Sequence, residues 1–160
     1  MQAFDASSMI YAWDNYPLRQ FPPLWKWMSA QIEGKLLVMP SVALEEVGNK
    51  APDCGEWLKD NDLEQLSISN AILHDAKRIK GLLNIVGDSY HPKGVGENDI
   101  LIIATARAHG AELVSDEEKQ RILPHVLSKR KIPAVCDMTE VSVACINFVE
   151  YIKRSEAVFR

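Results

Sequence analysis

Cysteine is scarce in this chain of 160 residues: Cys54, Cys136 and Cys145 form an odd set with no CxxC pair. That excludes a disulfide framework and a thiolate zinc site, and it fits a reducing compartment. Cys136 and Cys145 lie in apolar patterns and read as small buried hydrophobes. Long apolar runs are missing too, none approaching the ~20 residues that cross a bilayer. The opening Met1-Gln2-Ala3-Phe4-Asp5 lacks the basic-then-apolar pattern of a secretion signal. The expectation is a soluble, cytoplasmic protein with no membrane association.

A large charge excess is likewise absent. Charged residues make up 25% of the chain and the formal net charge is -4, which argues against disorder and against a globally basic coat. A polyanion would have to be met by a local patch or by metal ions. The four histidines, His74, His91, His109 and His125, lack metal-ligand spacing; only His91, in a long loop, is a general-acid candidate. No GxxxxGK[ST] phosphate loop occurs. Ala6-Ser7-Ser8-Met9 stands where a dinucleotide-binding glycine fingerprint would follow the first strand, and Ser7 stands where a haloacid-dehalogenase-type phosphatase needs its second aspartate.

What is present is apolar content of 47%, enough to build one core at this length, so residues 1–160 are expected to form a single domain. A short apolar strand precedes Asp5, and an irregular segment carrying Trp13 and Tyr16 follows it. Phe21-Pro22-Pro23 opens a helix with Leu24, Trp27, Met28 and Ile32 at helical spacing, stopped at Gly34. Lys35 to Met39 reads as a buried strand, and Ser41 as the N-cap of a helix bearing Glu45 and Glu46. A short helix from Pro52, a strand over Leu63 to Ile68, and a helix capped by Ser69 or Asn70 and running to about Leu83 come next. The stretch Gly87 to Gly96 is a loop long enough to be functional. Glu97 to His109 (helix, capped by Asn98), Ala111 to Ser115 (strand), Ile132 to Cys136 (strand) and Thr139 to Arg154 (helix) complete the reading. Strands alternating with helices, several of the strands being unbroken apolar runs, imply a three-layer α/β/α sandwich around a central, mainly parallel sheet.

The most informative stretch is Gly96-Glu97-Asn98-Asp99-Ile100-Leu101-Ile102-Ile103-Ala104-Thr105-Ala106 with the Leu113-Val114-Ser115-Asp116-Glu117 that follows. A helix from Asp99 to His109 advances about 16 Å, and a strand from Ala111 to Ser115 returns about as far. A turn at Gly110 therefore brings Asp116 and Glu117 back beside Asp99. If the strands ending at Asp5 and Met39 are parallel, their carboxyl ends share one edge, and Glu46 follows that edge after one and a half helical turns. Ligands of open α/β sheets bind at this edge.

Two carboxylates about 5 Å apart repel by roughly 3 kcal/mol at an effective dielectric near 20, so the cluster needs protons or cations. Oxygen ligands without histidine or thiolate favour Mg²⁺ or Mn²⁺. Such an ion generates a nucleophilic water and steadies charge on a phosphate, which points to phosphodiester hydrolysis.

Asp5-Ala6-Ser7, Glu46-Val47, Asp99 to Ala106 and Val114-Ser115-Asp116-Glu117 resemble the four acidic motifs of PIN domains, including the VapC-like ribonuclease toxins. Phe21-Pro22-Pro23-Leu24-Trp25 and Lys131-Ile132-Pro133-Ala134-Val135-Cys136 look further like a bacterial PIN-like branch. The resemblance runs from residue 1 to about 150. It implies a metal-dependent endoribonuclease acting as the toxin of a toxin–antitoxin pair, with an RNA substrate, a cognate antitoxin protein and a homodimeric state. It also implies Asp5, Glu46 and Asp99 as principal acids, with Ser7 as a nearby hydroxyl. The fourth motif, hydroxyl then any residue then acid, places Ser115 and Glu117; Asp116 is the competing fourth acid and, with Asp5 and Asp99, a candidate metal ligand. A second reading is a catalytically weak PIN-like module that binds RNA or protein.

Positive charge gathers at Lys77, Arg78 and Lys80 and again at Lys129, Arg130 and Lys131, each either a solvated face or a phosphate contact. Lys93, in the glycine-rich loop before Asp99, is the basic residue expected near the scissile phosphate. Trp25 and Trp57 are expected in the core.

Overall fold

In the computed structural model, which describes residues 1–160, the sheet grows outward from its first strand. β1 (Gln2–Phe4) pairs in parallel with β2 (Leu37–Pro40) on one side, Ala3 opposite Val38, and with β4 (Glu112–Val114) on the other, Ala3 opposite Leu113. β3 (Gln65–Leu66) extends the sheet beyond β2, and β5 (Cys145–Ile146) extends it beyond β4, both again parallel. The order is β3-β2-β1-β4-β5. The chain thus fills one side of β1, then crosses to fill the other. This reversal opens a crevice at the carboxyl end of β1, where α/β sheets bind ligands. Asp5 is the residue at that point.

Eight helices connect and cover the strands: α1 (Ala6–Asn15), α2 (Pro22–Glu33), α3 (Ser41–Lys50), α4 (Pro52–Asp60), α5 (Asn70–Leu82), α6 (Glu97–Ala108), α7 (Ile132–Cys136) and α8 (Phe148–Ser155). The strands are short because β1, β2 and β4 are nearly all apolar and buried, so each ends where polar residues begin. Beyond its first turn α6 is almost wholly apolar, with Ile100, Ile102, Ile103, Ala104 and Ala106 buried. It is a core helix rather than an amphipathic one. Gly110, at φ +59°, supplies the left-handed turn from α6 into β4, and the amide of Ala111 closes it on the carbonyl of Ala106 at 2.9 Å. The parallel three-layer architecture is the one the sequence implies.

Five local expectations are corrected. Residues 6–15 form α1 rather than an irregular segment, so Trp13 packs into a triad with Trp25 and Trp57 at centroid distances of 4.9–6.5 Å. Ile132–Cys136 is α7, not a strand: Pro133 has no N–H to give a ladder but suits a helix's first turn. The helix expected over Thr139 to Arg154 begins only at Phe148, after turns and β5, where the side chain of Asn147 accepts the Glu150 amide at 2.9 Å. Ser41 begins α3 without capping it, and Gly96 rather than Asn98 holds the N-cap of α6. Ser69 does cap α5, accepting from the Ile72 amide at 3.2 Å. No helix is long and apolar enough to cross a membrane.

Candidate active site

Asp5 occupies the N-cap position of α1 yet makes no capping bond. Its Oδ2 instead accepts the hydroxyls of Ser7, at 2.6 Å, and Ser115, at 3.0 Å. Each hydroxyl has one proton, so with both committed to Asp5 the 3.3 Å Ser7–Ser115 approach is a packing contact. Ser7 Oγ in turn accepts the Asp116 amide at 2.9 Å, and Ser115 Oγ the Glu117 amide at 3.3 Å. The first turn of α1 is thereby stitched to the end of β4. Asp5 is only 2% exposed, and its Oδ1 takes no hydrogen bond. Tyr151 Oη is the one fully buried side-chain polar atom without a partner, so Asp5 Oδ1 is reached by solvent at the mouth of the crevice.

Burial is the main reason that Asp5 is pushed up from 3.8 to about 6, and the charges of Asp99 and Glu117 add to it against the two hydroxyls. Asp99 is raised as well, first by burial and then by Glu117 and Glu46, while the Gly96 amide and Lys50 oppose the shift. Four acids from four segments therefore share one field: Asp5 after β1, Glu46 in α3, Asp99 in α6 and Glu117 after β4. Asp99 does partly serve its helix, since its Oδ2 accepts the Gly96 amide at 3.0 Å. Its Oδ1 stays free. Within the adjacent pair, Glu46 is half-buried and Glu45 exposed.

Asp116 is employed differently. Its Oδ1 accepts both the Ser8 hydroxyl, at 2.6 Å, and the Phe148 amide at the start of α8, at 2.9 Å. It joins α1, β4 and α8, and it is not among the leading charges acting on Asp5 and Asp99. Of the two candidates for the fourth corner, Glu117 is the one that faces the other acids. Lys93 is exposed and its backbone amide donates to His91 Nδ1 at 3.0 Å; its charge is not among the leading ones acting on Asp5 or Asp99. The cation whose charge acts on Asp99 is Lys50, whose Nζ lies 3.5 Å from Glu46 Oε2 one helical turn away. The Glu46–Lys50 spacing of i,i+4 was its sequence signal.

The donor set consists of carboxylate and hydroxyl oxygens, with Asp5 Oδ1, Asp99 Oδ1 and both Glu117 carboxylate oxygens free of hydrogen bonds, which suits a hard divalent cation. In this side-chain arrangement no three His, Cys, Asp or Glu groups converge into a ready cage. Mg²⁺ does not require one, since it is commonly held by one or two carboxylates, waters and substrate phosphate oxygens. Cys136 is buried and its thiol is pushed up by contact with Cys145 and by burial, which makes it a core group and not a nucleophile. Beside the acids, between the end of β4 and α8, lies an open cleft of about 530 Å³ lined by Ser115, Asp116, Glu117, Lys119, Asn147 and Arg154 among others.

A crevice at the strand-order reversal, edged by carboxylates, belongs to a five-stranded parallel α/β fold of the PIN-like class. A solved chain of VapBC2 from Rickettsia felis, crystallised bound to a DNA fragment from their promoter, shares that fold: the TM-score is 0.55 at 16% identity, covering 91% of this chain and 97% of that one. By sequence, residues 3–159 match the model of a domain of unknown function, DUF4411, and the chain belongs to that family. No curated protein matches it.

Proposed function

We propose that the chain is a metal-dependent endoribonuclease that hydrolyses RNA phosphodiester bonds with Mg²⁺ or Mn²⁺. The observation that carries this reading is Asp5: a nearly buried carboxylate, fixed by two hydroxyls on one oxygen and open on the other, in the field of Asp99 and Glu117, with Glu46 acting in turn on Asp99. A charge held there without a counter-ion costs the fold stability, which is the pattern of functional sites.

Asp5 and Asp99 would hold the ion, with Glu117 contributing directly or through water. When bound, the ion supplies Lewis acidity toward the phosphate and lowers the pKa of a water. Ser7 and Ser115 keep Asp5 oriented and bias it toward its ionised form. Glu46, whose charge acts on Asp99, would orient the attacking water, and Lys50 would moderate the negative field. The paired toxin role, with an antitoxin partner, is supported by the shared fold with a chain of the VapBC2 assembly; a homodimer belongs to the same reading.

The test is cleavage of a structured RNA by the purified chain with Mn²⁺, compared with Asp5→Asn and Asp99→Asn. These variants keep the hydroxyl and amide contacts, so folding is expected to survive. A fall of at least 100-fold in rate is the expected result. Undiminished cleavage by Asp99→Asn would overturn the mechanism.

One observation favours the weaker reading, a PIN-like module that binds without cutting: Lys50 already neutralises Glu46 in place of an added cation. Calorimetric titration with Mn²⁺ separates the two, since an absence of heat at millimolar metal would favour the module.

A further inference from the structure

The loop between β4 and α7 carries an unusual charge pattern for a chain of net charge -4. Residues 119–131, Lys-Gln-Arg-Ile-Leu-Pro-His-Val-Leu-Ser-Lys-Arg-Lys, contain five cations and no acid. None of these five forms a salt bridge, so the loop gathers five of the chain's unpaired cations into thirteen residues without an acid among them. Cations left unpaired in an acidic protein are available to an anionic partner.

The loop is also held in place. The side-chain amide of Gln120 donates to the Lys129 carbonyl at 3.1 Å and accepts the Lys131 amide at 2.9 Å, closing the loop at its base. Arg130 Nε donates to the Pro124 carbonyl at 3.3 Å across the turn. A second loop is fastened against it: the Val95 amide donates to the Arg130 carbonyl at 3.0 Å. A Cβ on Gly94 would stand 1.9 Å from the Ser128 oxygen, so only glycine permits this approach. Lys93, the cation expected near the substrate, is brought by that approach to the segment bearing Lys129 and Lys131.

Both ends of the assembly stand at the acids. The loop leaves the sheet at Glu117, and its return is bonded to Val95, whose neighbour Gly96 donates to Asp99. We infer that residues 119–131, with Lys93, form a preorganised basic rim that binds the backbone of single-stranded RNA and lays it across the acidic crevice. Ile122, 88% exposed on this loop, and the exposed Leu123 and Val126 offer apolar surface to the bases. An acidic protein fits less well, because its carboxylates would be carried into the field of Asp5, Asp99 and Glu117 with no bridging cation. This inference rests on the nuclease reading for its substrate, but its test does not depend on cleavage.

Binding of a fluorescent 20-mer oligouridylate is measured against salt concentration in the Asp5→Asn background. The comparison is Lys93→Gln/Lys129→Gln/Lys131→Gln and, separately, Lys119→Gln/Arg121→Gln, whose side chains are exposed and make no hydrogen bond. Removing one cation from a phosphate lowers the slope of log affinity against log salt by about 0.7 on a single strand, so the triple variant should show a slope shallower by roughly 2. Unchanged slopes in both variants with unchanged melting temperatures would overturn the inference. Competition by polyglutamate as effective as by oligouridylate would overturn it in favour of a protein site. Wild-type cleavage with unchanged slopes removes the rim and leaves the nuclease; reduced slopes without wild-type cleavage do the reverse.

Discussion

Burial and two neighbouring carboxylates move Asp5 from 3.8 to about 6, and the direction of that shift sets a pH dependence opposite to that of an ordinary ion-paired aspartate. The folded chain keeps the Asp5 proton to higher pH than the unfolded chain does. Between about pH 4 and pH 6 the native state therefore binds more protons, and its stability falls as pH rises through that window. Below it the group is protonated in both states and contributes nothing. Above it the loss is complete, on the order of 3 kcal/mol. Asp5→Asn retains an oxygen for the two seryl hydroxyls and carries no charge. The variant is expected to be more stable than the parent at pH 8, by an amount approaching that figure, and nearly equal to it at pH 4. Urea unfolding of both chains at the two pH values measures this. A difference that is the same at pH 4 and pH 8 would show that charge burial is not the cause.

The placement of Glu46 depends on a helix pair, α3 and α4, that touch backbone to backbone. A Cβ on Gly55 would lie 2.9 Å from the Gly48 Cα, whereas a Cβ on Gly48 meets nothing within 4 Å. The two glycines of this contact thus predict opposite outcomes. Gly55→Ala forces α4 away from α3 and should cost about 1–3 kcal/mol, as overpacking does. Gly48→Ala fills open space in a helix and should stabilise by up to about 1 kcal/mol. Thermal unfolding of the two variants decides the matter, and equal destabilisation would refute the close approach. Most elements were legible in the sequence because their signals are local: prolines in the first turns of α2 and α4, Ser69 before α5, glycine after α6. The errors over α7 and α8 came from apolar stretches that periodicity did not classify, and in both cases a local sign was present, Pro133 for α7 and the Asn147-x-x-Glu150 cap for α8. The acids were legible because chain geometry alone returns β4 to the start of α6. The separate employment of Asp116, and the reach of Lys50 to Asp99, depend on which way side chains turn between segments far apart in sequence.

Across the whole molecule the charge is divided: carboxylates converge at the end of β1, and unpaired cations gather on the loop beside them. The parallel sheet forces the first half of this, because every strand delivers its carboxyl end to the same edge and the order reverses at β1. Without a cation the folded state bears the mutual repulsion of the acids, which the unfolded chain escapes. A divalent ion that binds the folded site alone must therefore stabilise the entire fold, by RT ln(1 + [M]/Kd), or about 2.7 kcal/mol at 100 times its dissociation constant. Protons compete for the same oxygens. The rise in melting temperature on adding Mn²⁺ should accordingly be larger at pH 8 than at pH 5, where Asp5, titrating at about 6, is mostly protonated. Monovalent salt at matched ionic strength screens the repulsion but cannot bridge Asp5 and Asp99, so it should give a smaller rise. In Asp5→Asn/Asp99→Asn the response to Mn²⁺ should fall to that of the monovalent control. A double variant that responds to Mn²⁺ as strongly as the parent would place the ion elsewhere on the molecule and detach the acidic crevice from metal binding.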